Sequence, residues 1–426
     1  MSATPQELNP QTTGRSVVVF SDDVRGDRAA VVAALRSLTG VGRVIATSDY
    51  EDGALDADAI GSADAITFDA LGVAVVAREP GELTAAVASA ASTSILTIEP
   101  ERMMYAIAVE EEPPETSVQF ADDVDYTWGL RATAVDAATA TGAGIRIAVL
   151  DTGFDFGHPD FAGRTITERS FITGEESADG HGHGTHCAGT ALGPALPSGR
   201  RYGVAPEAEL FVGKVLSNRG GGADAGILAG IDWALTNGCQ IISMSLGADV
   251  PEVSTAYETV GRRALDAGTL IVAAAGNNAN RPGGDPGFVA MPANSPSIMA
   301  VAAVDSQLAI APFSSGSNPV EGGAVDIAAP GVRVYSSWPM PRRANFISGT
   351  SQAAPHVAGI AALWSQVTGE SADALWRTVI GAARGLDLPA ADVGAGIVQA
   401  PGPDAGSEPE PEPEPAPEPE PGPASY

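Results

Sequence analysis

Three short segments carry residue types that together support nucleophilic catalysis. The apolar run 145–150 ends directly in the carboxylate of Asp151. A glycine-rich stretch, 179–189, holds His183 just before a run of small residues. Ser351 stands between a glycine-containing turn and an Ala- and Val-rich helical pattern. A carboxylate, a histidine and a helix-start serine, in this order, supply an orienting group, a base and a nucleophile.

Each segment taken alone also has a simpler interpretation. An Asp after a buried strand also serves as a metal ligand, a ribose ligand or a helix cap, and Thr350-Ser351 also fits an ordinary N-cap. The residues 181–186 hold three of the five histidines, but the His-Glu-x-x-His spacing of zinc peptidases is absent. The small residues after His186 favour a general base that must approach other groups closely.

The elements that position these segments follow from the hydrophobic pattern. Short, nearly continuous apolar runs alternate with helical stretches, a pattern typical of an α/β fold with a buried, mostly parallel sheet. Catalytic groups in such sheets lie at the carboxyl ends of the strands. The predicted strands are 145–150, 210–215, 240–243 and 270–274, and the predicted helices include 225–235 and 254–267.

Residues 15–105 predict a smaller α+β unit ahead of this domain. The order of elements is β-α-β-β-α-β, which is the ferredoxin-like pattern. The predicted strands are 16–20, 41–46, 72–77 and 95–98, and the predicted helices are 27–38 and 81–92.

The remaining stretches predict linkers and tails. Residues 1–14 are polar and predict a disordered N-terminal tail, and the Glu-Pro tract 401–426 cannot build a core. Residues 106–119 form an acidic, proline-containing linker, which is also a plausible region for cleavage. The large domain then spans residues 120–400.

Composition excludes several classes of function. The 426 residues include 23 basic and 53 acidic side chains, a formal net charge of −30, which argues against nucleic acid or an anionic membrane as a partner. No apolar run is long enough to span a membrane. The N-terminus lacks the basic start and apolar stretch of a secretory signal, so the sequence favours a cytoplasmic protein or another export route. The single lysine, Lys214, indicates a compositional bias.

The three segments resemble those of the subtilisin-like serine proteases, the subtilases of peptidase family S8. The resemblance rests on the motifs at 151–153, 183–189 and 349–359, and it covers roughly residues 125–400. Cys187, directly after the His-Gly-Thr-His run, is similar to the proteinase K-like branch. The N-terminal unit resembles the inhibitor-I9-like prodomain of the family. The implied fold is a subtilisin-like three-layer α/β fold preceded by a ferredoxin-like prodomain.

The resemblance assigns a role to each residue of the motifs. Asp151 matches the aspartate that orients the imidazole, His183 matches the general base, and Ser351 matches the nucleophile. Asn277 matches the side-chain donor of the oxyanion hole. The order Asp…His…Ser is the one that subtilisin uses for this geometry.

The family pattern also implies how a substrate binds. The segment Ser245, Leu246 and Gly247 resembles the strand that pairs with the substrate backbone, so binding occurs by strand addition. Ala274 and Gly276 would line the other wall of the first pocket. Their small size predicts a preference for apolar or aromatic residues before the scissile bond.

Two features depart from the family. Gln352 replaces the methionine that usually follows the nucleophile. His158-Pro159-Asp160 matches a segment whose Asp often binds calcium, and Asp305 matches a weaker site, but the chain offers no complete set of oxygen ligands for either. We therefore expect no required cofactor and no catalytic metal, with structural calcium left open.

The function implied is that of a monomeric serine endopeptidase that hydrolyses protein or peptide substrates through an acyl-enzyme. The N-terminal unit would assist folding and inhibit the enzyme until self-cleavage between about residues 105 and 119. Two alternatives stay open: a maturation protease dedicated to one peptide, and a non-catalytic scaffold that retains the fold. Cys187 and Cys239 permit one disulfide at most.

Overall fold

The computed structural model describes residues 11–90, 94–107, 119–194, 199–317, 323–403 and 405. Most of the predicted Glu-Pro tail and most of the predicted linker lie outside these residues. The strands are β1 Thr12–Phe20, β2 Val44–Ala46, β3 Ala65–Phe68, β4 Val73–Val76, β5 Ile95–Ala106, β6 Arg146–Asp151, β7 Ile166–Ser170, β8 Glu209–Lys214, β9 Gly221–Ala223, β10 Ile241–Met244, β11 Leu246–Gly247, β12 Leu270–Ala274, β13 Met299–Val304, β14 Ile327–Pro330, β15 Val334–Ser337 and β16 Ala344–Ile347. The helices are α1 Arg28–Thr39, α2 Ala57–Ser62, α3 Pro80–Ala90, α4 Trp128–Ala132, α5 His183–Leu192, α6 Asp224–Thr236, α7 Thr255–Asp266, α8 Thr350–Thr368, α9 Ala372–Gly381 and α10 Ala390–Val393.

Seven strands form a parallel sheet at the centre of the molecule. Their order is β14-β13-β12-β10-β6-β8-β7, and every neighbouring pair in it is parallel. The predicted α/β class with a mostly parallel sheet is therefore confirmed. Apart from the edge strand β7, the strands are largely apolar, because helices cover both faces of the sheet.

Alternate residues of each strand supply the two faces of this sheet. On β6, Ile147 and Val149 pack in the core that contains α5, α8 and α9. Ala148 and Leu150 pack in the core that contains α6 and α7. The result is three layers, with the carboxyl ends of β6, β10 and β12 meeting at one edge. None of the helices formed by the described residues is both long and apolar enough to cross a bilayer.

A second sheet is built by the N-terminal strands in the order β5-β1-β4-β3-β2. One face packs against α1, with Phe20, Val31 and Leu35 in a single core. The opposite face joins the core formed with α6 and α7. Strand β3 was not predicted, and β1 begins at Thr12, so residues 12–14 belong to this strand and not to the predicted tail. The reason is that their backbone pairs with β5 despite their polar side chains.

Strand β5 joins the N-terminal strands to two short strands of the larger domain. Its first part pairs antiparallel with β1. Its last residues pair antiparallel with β9 on one side and β11 on the other, so Tyr105 lies opposite both Gly221 and Gly247. The sequence predicted a strand ending near Ile98. The strand continues to Ala106 because β9 and β11 supply backbone partners for its second half.

Candidate active site

Asp151 and His183 meet where β6 ends and α5 begins. His183 Nδ1 lies 2.8 Å from Asp151 Oδ1 and 3.0 Å from Oδ2. Both side chains are buried. Burial disfavours the charged imidazole, but the Asp151 carboxylate and the Cys187 sulfur outweigh it, so the pKa of His183 lies well above its usual range. The pair is therefore arranged to stabilise an imidazolium.

Ser351 lies in the first turn of α8, beside this pair. Its hydroxyl donates to the Ser245 carbonyl at 3.2 Å. His183 Nε2 is buried and has no hydrogen-bond partner among the described residues. The contact expected between base and nucleophile is therefore not formed in this arrangement. Such contacts are often long before a substrate is bound.

Asn277 follows β12 and faces a peptide carbonyl. Its Oδ1 accepts from Thr350 N at 3.0 Å and from Thr350 Oγ1 at 2.9 Å. Its Nδ2 is thereby left to donate to the Ile107 carbonyl at 3.2 Å. Gly349 makes this approach feasible, because a β-carbon there would stand 2.8 Å from the Ile107 oxygen. The Ile107 oxygen thus lies where the donor of an oxyanion hole would bind the oxygen of a reacting carbonyl.

The residues predicted to bind substrate fall into two groups. Leu246 and Gly247 pair with Ala106 and Tyr105 through backbone hydrogen bonds, and strand addition by a substrate would use the same kind of pairing. Ser245 instead donates its hydroxyl to the Ser351 carbonyl at 2.7 Å. It therefore lies beneath the predicted nucleophile.

Ala274 and Gly276 lie beside this strand pairing. Ala274 is buried in the same core cluster as Ile107. Gly276 donates its N–H to Thr350 Oγ1 at 3.2 Å. Gly276 thus helps to hold the residue that orients Asn277.

Sequence reasoning missed two residues that organise the site. Asp179 accepts hydrogen bonds from the backbone N–H groups of His181, Gly182 and Thr185, at 2.8 to 3.0 Å. It also accepts from Thr152 Oγ1 at 2.9 Å. Asp179 therefore fixes the loop that leads into His183. The position of Asp179 within the glycine-rich motif was the sequence signal that could have identified this role.

Lys214 is the second of these residues, and its side chain is fully buried. Its ammonium donates to the Thr152 carbonyl and, at 2.9 Å, to Asn218 Oδ1, and it lies 3.3 Å from Glu175. Asn218 Oδ1 also accepts from Gly180 N at 2.9 Å. Burial lowers the pKa of Lys214, while the Glu175 carboxylate opposes that shift. The sole lysine thus joins the turn after Asp151 to the loop before His183.

The other histidines differ from His183 in charge and contacts. His186 contacts the Val334 carbonyl and His356 contacts the Gln352 carbonyl. Burial lowers the pKa of His186 to about 3 and that of His356 to about 4. Both are therefore neutral, structural residues. His181 also has a lowered pKa, from burial and then from the neighbouring His183.

The described residues give little support for a bound metal. Asp151, His183 and Cys187 form the one acidic, thiol or histidine trio whose ligand atoms all lie within 4.8 Å of one another, and this trio is the predicted active centre itself. The Asp160 carboxylate is engaged by Arg343 at 2.6 Å and by Tyr202 at 2.8 Å. A guanidinium and a phenol therefore occupy the oxygens that a calcium ion would need.

A carboxylate, an imidazole and a helix-start hydroxyl at the carboxyl edge of a parallel sheet form the arrangement of a serine hydrolase. Comparison with known proteins narrows this class. Residues 142–396 match the model of the subtilase family, peptidase family S8. The chain therefore belongs to the subtilase family, and it is a serine endopeptidase.

Individual relatives agree with this assignment. Subtilisin DY from Bacillus licheniformis is 40% identical over 235 residues, which cover 55% of this chain and 81% of the relative. Subtilisin E from Bacillus subtilis is 40% identical over 250 residues, or 58% of this chain and 62% of the relative. M-protease from Shouchella clausii is 41% identical over 245 residues, or 56% of this chain and 59% of the relative.

Proposed function

We propose that the chain is a serine endopeptidase made as a self-inhibited zymogen. The observation that carries the proposal is the position of β5. Its last residues lie between β9 and β11, and the Ile107 carbonyl faces Asn277 Nδ2 at 3.2 Å. A chain segment held in this way has the geometry of a substrate strand ending at the residue before the scissile bond.

In this proposal the peptide bond after Ile107 is the first substrate. Ser351 Oγ attacks the carbonyl carbon while His183 Nε2 takes its proton, and Asp151 stabilises the resulting imidazolium. Asn277 donates to the oxyanion. The carbon–nitrogen bond then breaks, and His183 returns its proton to the leaving amine. Water hydrolyses the acyl-enzyme, with His183 again acting as base.

The proposed prodomain is the N-terminal unit, residues 15–105, extended to Ile107. The order β5-β1-β4-β3 and the helices α1 and α3 on one face support a ferredoxin-like, inhibitor-I9-like fold. The linker of residues 106–119 would be cut, leaving a catalytic domain of residues 120–400 and the Glu-Pro tail 401–426. We propose that the mature enzyme is a monomer.

Cys187 supports a place near the proteinase K-like branch. Its sulfur lies 3.8 Å from His183 Nδ1 and 3.4 Å from the Ser351 carbonyl. Both cysteines are buried and free, so they form no disulfide. The thiol is therefore a neighbour of the proposed base and not a structural bridge.

The proposal is tested by intact mass and N-terminal sequencing of freshly purified wild type beside Ser351→Ala. Wild type is expected to lose its N-terminal unit and to begin at residue 108 or within the following linker, while the variant stays at full length. Labelling with an amine-reactive dye adds a direct readout of the N-terminus. The only lysine is buried, so the dye labels the N-terminal amine. A wild type that stays intact while it degrades casein would refute the self-processing step.

A matched control addresses the range of substrates. Processed wild type is expected to digest several unrelated unfolded proteins, whereas cleavage of one peptide alone would support a dedicated maturation protease. Ser351→Ala carries the same fold without the hydroxyl. Any digestion that persists in this variant therefore belongs to a contaminant.

A further inference from the structure

Gln352 presents a buried side chain with unused hydrogen-bonding capacity. It directly follows Ser351 in α8 and is fully buried. Neither Oε1 nor Nε2 has a hydrogen-bond partner among the described residues. Burial of an amide without partners is unfavourable, and most buried polar groups are paired. The described residues therefore leave the hydrogen-bonding capacity of this side chain open to a ligand.

The direction of this side chain points to the reacting carbonyl. Three polar atoms surround the position that a β-carbon on Gly349 would occupy. The Ile107 oxygen lies 2.8 Å from this point, Gln352 Oε1 lies 2.9 Å from it and Asn277 Nδ2 lies 3.1 Å from it. The Gln352 carboxamide is thus adjacent to the carbonyl that the proposed chemistry attacks.

Two groups beside this carbonyl already have partners. Asn277 supplies the donor for the oxygen. On the preceding side, Ala106 N donates to the Gly220 carbonyl at 2.8 Å. In a bound substrate, the scissile N–H is bonded to the same carbonyl carbon and is a donor that these two contacts do not use.

We propose, on the basis of the function proposed above, that Gln352 is a further catalytic residue that binds the leaving group. Its Oε1 accepts the N–H of the scissile amide. The bond strengthens as the carbon–nitrogen bond breaks and the nitrogen receives the proton from His183, because the leaving amine then carries more positive character. A methionine at this position has no comparable acceptor.

The test compares an amide and an ester that share the same acyl part. The ester has no N–H on its leaving group, so only the amide can use the proposed bond. In Gln352→Met, kcat/KM for the peptide amide is expected to fall about tenfold more than kcat/KM for the ester. Asn277→Ala is the matched control, because both substrates need an oxyanion donor and both are expected to slow by similar factors.

Several outcomes decide the matter. An equal change in both substrates, or no change in either, would overturn the proposal for Gln352. Met is apolar and similar in length, so Gln352→Met is expected to fold and to unfold a few degrees higher, since an unpaired buried amide is removed. Gln352→Leu serves as the second variant if Met disturbs the fold. Wild type that cleaves neither substrate would refute the proposed function itself.

Discussion

Carboxylates are buried in two regions of this molecule, and their partners differ. At the active centre, Asp151 lies against the His183 imidazole, and its carboxylate stabilises the charged form of that imidazole. At the contact between the N-terminal sheet and α6, Asp224 and Asp232 have neutral donors. Burial raises the pKa of each of these two carboxyls to about 7.

In the contact region, carboxylates on each side accept hydrogen bonds from backbone N–H groups on the other side. Asp224 accepts from Arg102 N at 2.7 Å, and Asp232 accepts from Ala70 N at 3.0 Å. In the opposite direction, Glu101 of β5 accepts from Ala225 N at 3.0 Å, near the start of α6. Glu99 similarly accepts from Ala256 N at 3.2 Å in the first turn of α7.

The two regions respond to pH in different ways. The Asp151 carboxylate stabilises the imidazolium that forms when His183 accepts a proton. A buried carboxyl with neutral donors is instead most stable when protonated, so its contribution falls as pH rises. The predicted chemistry and the contact proposed to block it therefore depend on different titratable groups.

The largest expected effect is at the active centre. Asp151→Asn keeps the shape of the side chain but removes the charge that stabilises the imidazolium. We expect kcat to fall by about 10⁴-fold, the size seen for this change in other Asp-His-Ser enzymes. Steady-state kinetics on a peptide substrate measures this loss. A fall of less than tenfold would show that the ion pair does not operate in catalysis.

A smaller loss is expected at Lys214, which supports the same centre from beneath. Lys214→Met removes the ammonium that holds the Thr152 carbonyl and, through Asn218, the loop before His183. We expect kcat/KM to fall about tenfold or more, since misplacement of catalytic groups is costly. Glu175→Gln is the control, because it removes the partner of Lys214 at the edge of the network. The control is expected to retain most of the activity.

The contact region is expected to lose stability as pH rises. The pKa of Asp224 is about 7 in the folded chain, against an ordinary value of 3.8. Its stabilisation is therefore complete below about pH 4 and is lost progressively as pH rises toward 7. The melting temperature of the unprocessed Ser351→Ala protein is expected to decrease over this range.

The variant Asp224→Asn in the Ser351→Ala protein separates this group from the rest. We expect a shallower dependence of melting temperature on pH, because the amide does not titrate. Asp373→Asn is a matched control on an exposed surface of α9. A pH profile that is the same in all three proteins would rule out the assignment to Asp224.

The smallest effect on activity is expected from chemical modification of a thiol near the active centre. A mercurial that reaches Cys187 is expected to inhibit the enzyme, because the sulfur lies 3.8 Å from His183 Nδ1. Cys187→Ala is expected to remove this inhibition. Cys239→Ala is the control. Cys239 packs in the other core of the molecule, so the mercurial should still inhibit this variant. Activity that mercurials leave unchanged in wild type would contradict the prediction.

Much of the central fold could be predicted from the sequence. The predicted strands 145–150 and 270–274 agree with β6 and β12 within one residue, because buried parallel strands are continuously apolar. The α/β class and the order of the three motifs follow from the same pattern. The motif residues Asp151, His183 and Asn277 were placed by resemblance, and the structure brings them to one edge of the sheet.

Other features depend on tertiary partners that a local pattern does not contain. Strand β5 reaches Ala106 because β9 and β11 pair with it, although its second half is charged and irregular in hydropathy. Lys214 was interpreted as a compositional bias, since a single lysine carries no local sign of the carboxylates that surround it. The unpaired state of Gln352 is likewise visible only once its neighbours are placed.

The most direct test of the account is the reaction of the processed protein with a fluorophosphonate probe, followed by mass mapping of the labelled peptide. The account predicts label on Ser351 in wild type, none in Ser351→Ala, and strongly slowed labelling in Asp151→Asn. No label in the processed wild type, or label on a different serine, would contradict the claim that Ser351 is the nucleophile activated by His183.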